Sequence, residues 1–318
     1  MDLLKIFSEI EKIDGEVYER FDTRRRVFKH LAGLGKTITA ATVPALLSTL
    51  FNKAYGQTTG LSADIKNTLN LALQLEYLEY YYYDTGLKTP GLIPATDVPA
   101  ITIIRDDELG HINALKGVLG ATNAFPDPTV LAFDYTAGGK LAPFATAAQF
   151  YGAAQAFVDT GVRAYKGGAP KLMANKDILT AALNIHSVEA RHSAHIRMVR
   201  RTLAGSTNGG DIAGGANNLN PKSWVSLREN GGPVPAVTAP VYGIGTTTDF
   251  PGDDNVTQAA VNVQNTTTYS TLPSVTLTDA LKAAAASEAF DEPLDDVAVK
   301  VIARNFRSAV GVGKGLFA

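Results

Sequence analysis

The sequence contains no cysteine among its 318 residues. This absence excludes disulfides, thiolate metal sites and cysteine nucleophiles, and it leaves the redox compartment open. Charged residues are also scarce, at 19%, and the net charge of −2 provides no basic excess that would attract nucleic acid. The chain has no phosphate-binding glycine loop and no nucleophile elbow. The sequence therefore supports neither a nucleic-acid-binding protein nor a hydrolase of that kind.

One cluster of basic residues stands near the N-terminus, in TRRRVFKHLAGLG at 23–35. Adjacent arginines, a phenylalanine two residues on and a weakly apolar run are typical of a twin-arginine export signal. The alternative interpretation is a basic amphipathic helix of a cytoplasmic protein. Small residues at Ala54 and Gly56 predict cleavage before Gln57, so we expect 1–56 to be the N-terminal region that carries the signal.

The apolar run of this signal contains a lysine and a proline, so it would be a poor permanent anchor. We expect no stable membrane span after signal removal. The mature protein is then expected to be exported, to the periplasm or the extracellular space.

Helical periodicity dominates from Leu61 to about Arg201. Apolar residues recur at spacings of three and four, which indicates amphipathic helices. Breaks such as KTPGLIPATD and KGGAP separate four predicted helices, at roughly 62–86, 97–119, 146–166 and 174–203. The connection between the second and third is the longest, as in a bundle with one crossover connection. We predict an all-α protein with a four-helix bundle at 57–204.

Two regions follow the predicted bundle. Residues 205–275 are rich in Gly, Asn and Thr and have almost no helical pattern, so we predict an irregular excursion with a few short strands, for instance in VTAPVYGIG. Residues 276–318 become helical again in LTDALKAAAASEAF, with Thr278 as the N-cap, and in PLDDVAVKVIARNFRS. We expect these C-terminal helices to pack on the bundle.

A Glu-x-x-His motif occurs twice. DDELGH places Glu108 and His111 three residues apart, and VEARH places Glu189 and His192 at the same spacing. On a helix this spacing puts a carboxylate and an imidazole on one face, where both can reach one metal ion. Either pair alone would be weak evidence, but two copies indicate a metal site.

The residues before each motif repeat as well. Glu76 precedes Tyr83 by seven residues, two helical turns on the same face, and lies 32 residues before the first motif. In the second half, Val158 precedes Tyr165 by seven residues and lies 31 residues before the second motif. The chain therefore contains a repeated pair of helices, with a valine where the first copy has a glutamate.

This pattern resembles the ferritin-like superfamily of four-helix bundles. It is more narrowly similar to the secreted, desiccation-related ferritin-like proteins, through LALQLEYLEYYYYDTGL, DTGVRAYKGGAP, VEARHSAH and AFDEPLDD. The resemblance implies two iron or manganese ions, held by carboxylates of the first and third helices and by a Glu-x-x-His pair from each of the other two. Carried over residue by residue, it gives five metal ligands: Glu76, Glu108, His111, Glu189 and His192. The third-helix carboxylate would stand at position 158.

Val158 thus removes one of the six ligands that the resemblance implies. Asp159 could replace it if a local distortion such as a π-bulge turned its side chain inward. Gln155 lies one turn earlier on the same face, but a neutral amide is a weak ligand for these metals. Without a replacement, one of the two metal positions is weakened or lost.

Other polar residues near the motifs have simpler interpretations. We expect Glu79 to be an outer acid or a surface residue. Asp106 and Asp107 are expected on the solvated side of their helix. Four further side chains either contact the site or serve packing and hydrogen bonding elsewhere: Tyr83, Tyr165, His186 and His195.

Two functions fit these observations. The first is an exported metalloprotein with one or two iron or manganese ions, and with oxidase or peroxide-scavenging activity. The second is a non-catalytic structural or stress-protective bundle with a degenerate metal site. Buried carboxylates are costly unless they are paired or metal-bound, which favours the first. The long excursion departs from compact storage ferritins, so a monomer or homodimer is expected.

Overall fold

Four long helices form most of the part of the chain that this computed structural model describes, residues 60–205, 221–265 and 278–318. They are α1 (Ala63–Lys88), α2 (Val98–Leu119), α3 (Ala147–Leu172) and α4 (Lys176–Leu203). Helix α1 packs along α2 and α3 packs along α4, while α1 and α3 join the two pairs. The predicted all-α bundle is confirmed. The predicted export signal lies outside the described residues, and no described helix is both long and apolar enough to span a membrane.

Side-chain caps fix where three of these helices begin. Ser62, Thr146 and Asn175 precede α1, α3 and α4, and each accepts a hydrogen bond from the amide three residues on. These bonds satisfy backbone donors that have no partner within the helix. The predicted break at KGGAP was wrong, because α3 continues through it to Leu172. The small residue Gly167 is needed there, since a Cβ would lie 1.8 Å from the backbone oxygen of Leu294.

The long connection between α2 and α3 is held by the end of the chain. It contains a short 3-10 helix, Val130–Ala132, and Phe133 then forms a β-bridge with Arg307. The backbone N–H of Asp134 donates to the carbonyl of Phe306 at 2.9 Å. The C-terminal segment therefore closes over the crossover connection.

The described part of the excursion contains little regular structure. It has a single-turn helix α5 (Pro235–Thr238), a 3-10 helix (Ala239–Tyr242) and two short antiparallel strands, β1 (Thr257–Gln258) and β2 (Val261–Asn262). The predicted strand in VTAPVYGIG was wrong. A proline in the first turn of each short helix favours the helical backbone there.

Three helices follow after the excursion. They are α6 (Asp279–Glu288), α7 (Asp296–Arg304) and α8 (Ala309–Gly313). Thr278 caps α6 as predicted, because its hydroxyl accepts from the amide of Leu281 at 3.3 Å. Helix α7 packs against α3 and α1.

One buried arginine ties the excursion and the C-terminal segment to the bundle. Arg163 of α3 is only 1% exposed, and it lies 3.4 Å from Asp253. Its guanidinium donates hydrogen bonds to five backbone carbonyls, those of Val241, Gly243, Pro251, Glu292 and Pro293. Because an unpaired buried guanidinium would be costly, these carbonyls and Arg163 fix each other's positions.

Candidate metal centre

The five predicted ligands meet in the centre of the bundle. Helix α1 supplies Glu76, α2 supplies Glu108 and His111, and α4 supplies Glu189 and His192. Each is buried, at most 5% exposed. All except His192 present ligand atoms that lie within 4.8 Å of one another, and the group can hold a metal ion. Helical spacing of three puts each motif on one face, and the packing of the helices brings the faces together.

Three carboxylates converge on the His111 imidazole. Its Nδ1 atom lies 3.1 Å from Glu76 Oε2, 3.2 Å from Glu108 Oε2 and 3.3 Å from Glu189 Oε1. A single ring N–H cannot donate good hydrogen bonds to three acceptors at once. One ligand atom from each of these four residues lies within 4.8 Å of the others, so the group could hold a cation.

A second imidazole faces the opposite oxygens of two of these carboxylates. His192 Nδ1 lies 3.1 Å from Glu108 Oε1 and 3.7 Å from Glu189 Oε2. Glu108 and Glu189 thus each direct one oxygen toward His111 and the other toward His192. Carboxylates placed in this way can bridge two metal ions.

Several of these atoms lack a hydrogen-bond partner among the described residues. They include Glu108 Oε1, both carboxylate oxygens of Glu189, and His192 Nδ1. Glu108 Oε1 and His192 Nδ1 are close, yet they are not oriented for a hydrogen bond. Leaving a buried polar atom unsatisfied costs about 1–3 kcal/mol, and more for a charged group. A bound cation would satisfy these atoms, so the residues fit a metal ion.

The electrostatics of the cluster favour added positive charge. Burial raises the pKa of Glu76 well above its ordinary value. Burial lowers the pKa of His111, but Glu76 and the other carboxylates raise it more, so the net direction is upward. The pKa of His192 is raised in the same way, with Glu108 as the main carboxylate. Burial also raises the pKa of Glu108, but His192 and His111 lower it more, so this carboxylate stays charged. Glu76 and the two imidazoles therefore hold protons tightly, and metal binding would release them.

The far side of the His192 ring contacts an aspartate. His192 Nε2 lies 3.2 Å from Asp107 Oδ2. The expectation that Asp107 is solvated was wrong, because it is 8% exposed and faces α4. A carboxylate at this nitrogen fixes the ring orientation and directs Nδ1 toward the bridging carboxylates. Asp106, one residue earlier, pairs instead with Arg105 at 2.7 Å.

Of the four other candidate side chains, Tyr83, Tyr165, His186 and His195, only Tyr165 forms a hydrogen bond with a predicted ligand. The Tyr165 hydroxyl donates to Glu76 Oε1, so this tyrosine contacts a predicted ligand. The Tyr83 hydroxyl is buried and has no hydrogen-bond partner in the described structure. His186 Nδ1 lies 3.0 Å from the carbonyl of Val162, and His195 pairs with an aspartate at the start of α2. Neither histidine extends the cluster.

No side chain next to Val158 on α3 takes over the missing carboxylate. Helix α3 is continuous there, without a π-bulge, and Val158 is fully buried. Asp159 accepts a hydrogen bond from the Tyr242 hydroxyl at 2.7 Å and pairs with Arg197. Gln155 also bonds Tyr242, at 3.0 Å. Asp159 and Gln155 therefore already have hydrogen-bond or ion-pair partners, in the excursion and in α4.

A surface position for Glu79 was a wrong expectation, whereas the alternative, an outer acid beside the ligands, stays a prediction. Glu79 is 4% exposed, and burial, reinforced by the neighbouring carboxylates, raises its pKa. A Cβ added to Gly161 would lie 3.3 Å from Glu79 Oε1 and 3.4 Å from Glu189 Oε2, so both carboxylates contact the same glycine. The spacing of three from Glu76 was the sequence signal for this position, because it places both glutamates on one helical face.

Comparison with known proteins agrees with this geometry. Residues 64–202 match the family model described as the ferritin-like domain. The matched region spans α1 to α4 almost completely and includes all five predicted ligands. The searches of curated proteins and of solved structures found no match. The narrower resemblance to desiccation-related proteins stays a prediction.

The contact between Asp107 and His192 leads to a testable prediction. We expect Asp107→Asn to weaken metal binding about 10–100-fold, because the amide holds the imidazole less firmly and makes it less basic. The matched control is Asp106→Asn, which removes a charge from the adjacent residue outside the cluster. Titration with manganese(II), followed by the electron paramagnetic resonance signal of the free ion, measures both affinities. Equal affinities in the two variants would contradict the role given to Asp107.

Proposed function

We propose that the protein binds two iron or manganese ions in its bundle centre, a proposal supported by the match of residues 64–202 to the ferritin-like domain. The observation that carries the proposal is the position of Glu108 and Glu189 between two imidazoles. Each carboxylate has one oxygen near His111 and the other near His192. Carboxylate oxygen and imidazole nitrogen together suit these metals, and the absence of thiolates argues against softer ions.

The residues of the cluster have distinct roles in this proposal. Glu76 and His111 would hold one ion and His192 the other, with the two bridging carboxylates shared. The Tyr165 hydroxyl fixes the orientation of Glu76 through its hydrogen bond. Asp107 fixes the ring of His192. Contacts of this kind keep metal ligands in place and tune their basicity.

We further propose oxidation of ferrous iron, with oxygen or peroxide as the oxidant that is reduced. Iron or manganese supplies the redox chemistry when bound. The chain supplies a site closed to bulk water, since the predicted ligands are at most 5% exposed. Aromatic rings pack beside the cluster: Tyr83 neighbours Glu79, and its ring centroid lies 5.6 Å from that of Tyr82. Excluding water strengthens the electrostatic interactions inside such a site.

Metal content and oxidation rate together test this function. After anaerobic loading with iron(II), we expect about two ions per chain, and ferrous oxidation faster than in protein-free buffer. Glu108→Ala combined with Glu189→Ala should abolish both, because it removes both bridging carboxylates. Asp64→Asn, an exposed change on α1, is the control and should change neither. Metal binding without faster oxidation would contradict the oxidase; no binding would favour the structural, stress-protective alternative.

We also propose that the protein is exported through its twin-arginine sequence. The adjacent residues Arg25 and Arg26, with a phenylalanine two residues on, support this proposal. Export in the folded state would let the bundle acquire its metal before it leaves the cytoplasm. In cell fractionation, the double variant Arg25→Lys, Arg26→Lys should stay in the cytoplasm as the uncleaved protein. The wild-type protein should be found outside the cytoplasm. The same distribution for both proteins would contradict export by this route.

A further inference from the structure

The two halves of the candidate metal centre differ in their terminal carboxylates. On the His111 side, Glu76 Oε2 lies 3.1 Å from the imidazole, in addition to the two bridging carboxylates. On the His192 side, the bridging carboxylates are present, but α3 offers only Val158 where a terminal carboxylate would stand. Asp159 and Gln155 are both committed to other partners. The second position therefore needs a carboxylate from another helix.

Glu79 lies on the His192 side of the centre, where the terminal carboxylate is missing. Its carboxylate and Glu189 Oε2 contact the same point at Gly161. Glu189 Oε2 is the oxygen that faces His192, whereas Glu189 Oε1 faces His111. The charged neighbours of Glu79 also include His192. These contacts place Glu79 beside the second metal position.

The Glu79 carboxylate is buried without a partner for one of its oxygens. Glu79 is 4% exposed, and Oε2 accepts no hydrogen bond from the described residues. A buried acceptor that is left unsatisfied is rare, and it calls for an explanation such as a bound ion. A metal ligand is the explanation that fits an acid beside His192 and a bridging glutamate.

Gly161 is the feature of α3 that admits this side chain. It lies one turn after Val158, and an added Cβ would be 3.3 Å from Glu79 Oε1. That distance is tighter than ordinary van der Waals contact, so a side chain at 161 would push the carboxylate away. The valine and the glycine thus belong together: the first removes a carboxylate of α3, and the second makes room for one from α1.

We propose that Glu79 is the terminal carboxylate ligand of the second metal ion, in place of the missing carboxylate at position 158. The centre then has one glutamate of α1 and one histidine for each ion, with Glu108 and Glu189 between them. Four carboxylates also balance the charge of two divalent cations. This inference rests on the proposed function, because it requires that the cluster binds metal.

Manganese(II) binding to the full chain tests the inference. Wild-type protein equilibrated anaerobically with manganese(II) chloride should bind about two ions per chain, and their magnetic coupling should appear in the electron paramagnetic resonance spectrum. Glu79→Gln should bind about one ion and lose the coupled signal, since a neutral amide is a weak ligand. Asp84→Asn, on the same helix outside the cluster, is the matched control and should behave as wild type.

A second variant separates ligand position from charge. Gly161→Ala keeps every charge of the cluster but crowds Glu79 Oε1 and Glu189 Oε2, and the latter oxygen faces His192. We therefore expect the second ion to bind about 10-fold more weakly, and the first ion to be affected less. Circular dichroism checks that both variants fold. If Glu79→Gln does not fold, the second-ion affinity of Gly161→Ala decides, and an unchanged affinity overturns the inference.

The possible results distinguish the role of Glu79 from the proposed metal binding on which it rests. Two ions in Glu79→Gln, or one ion in both this variant and the wild type, would overturn the role of Glu79 and leave metal binding in place. No ion in the wild type would overturn the proposed function itself.

Discussion

Burial of negative charge in the bundle centre is the constraint on which the rest of the structure depends. Four carboxylates, those of Glu76, Glu79, Glu108 and Glu189, share this space with two imidazoles. Even two protonated imidazoles would balance only half of that charge. Each uncompensated buried ion costs several kcal/mol, so the centre requires added protons or metal ions. The raised pKa values of Glu76 and Glu79 have the same cause, since burial disfavours their charged forms.

Apart from Asp107, which contacts His192, the charged side chains named around this centre are engaged with other partners. Asp159 is buried beside the centre and pairs with Arg197, which also pairs with Glu229. Arg163 is buried too, and its donors are used by backbone carbonyls of the excursion and of the C-terminal segment. The irregular residues after α4 therefore have a physical role in their described part: they supply polar partners for the outer face of α3. Asp159, which the sequence offered as a replacement ligand, is needed for that role.

Periodicity was enough to predict the bundle and four of the residues that meet in it. The Glu-x-x-His spacing depends only on local helix geometry, and it identified Glu108, His111, Glu189 and His192 before any packing was known. Asp107 and Gly161 could not be found in this way, because their contacts are with other helices. Glu79 had the right spacing from Glu76, yet its burial depends on how closely α3 approaches α1. The strand predicted in VTAPVYGIG failed because Pro235, just before this stretch, and Pro240 within it favour short helical turns.

The most direct test is to locate the ions by anomalous X-ray diffraction. Crystals grown with manganese(II) would be measured above and below the manganese absorption edge. We expect two anomalous peaks about 3.5–4 Å apart between His111 and His192, each within ligand distance of Glu108 and Glu189. Peaks only at the protein surface, with none in the bundle centre, would contradict the account.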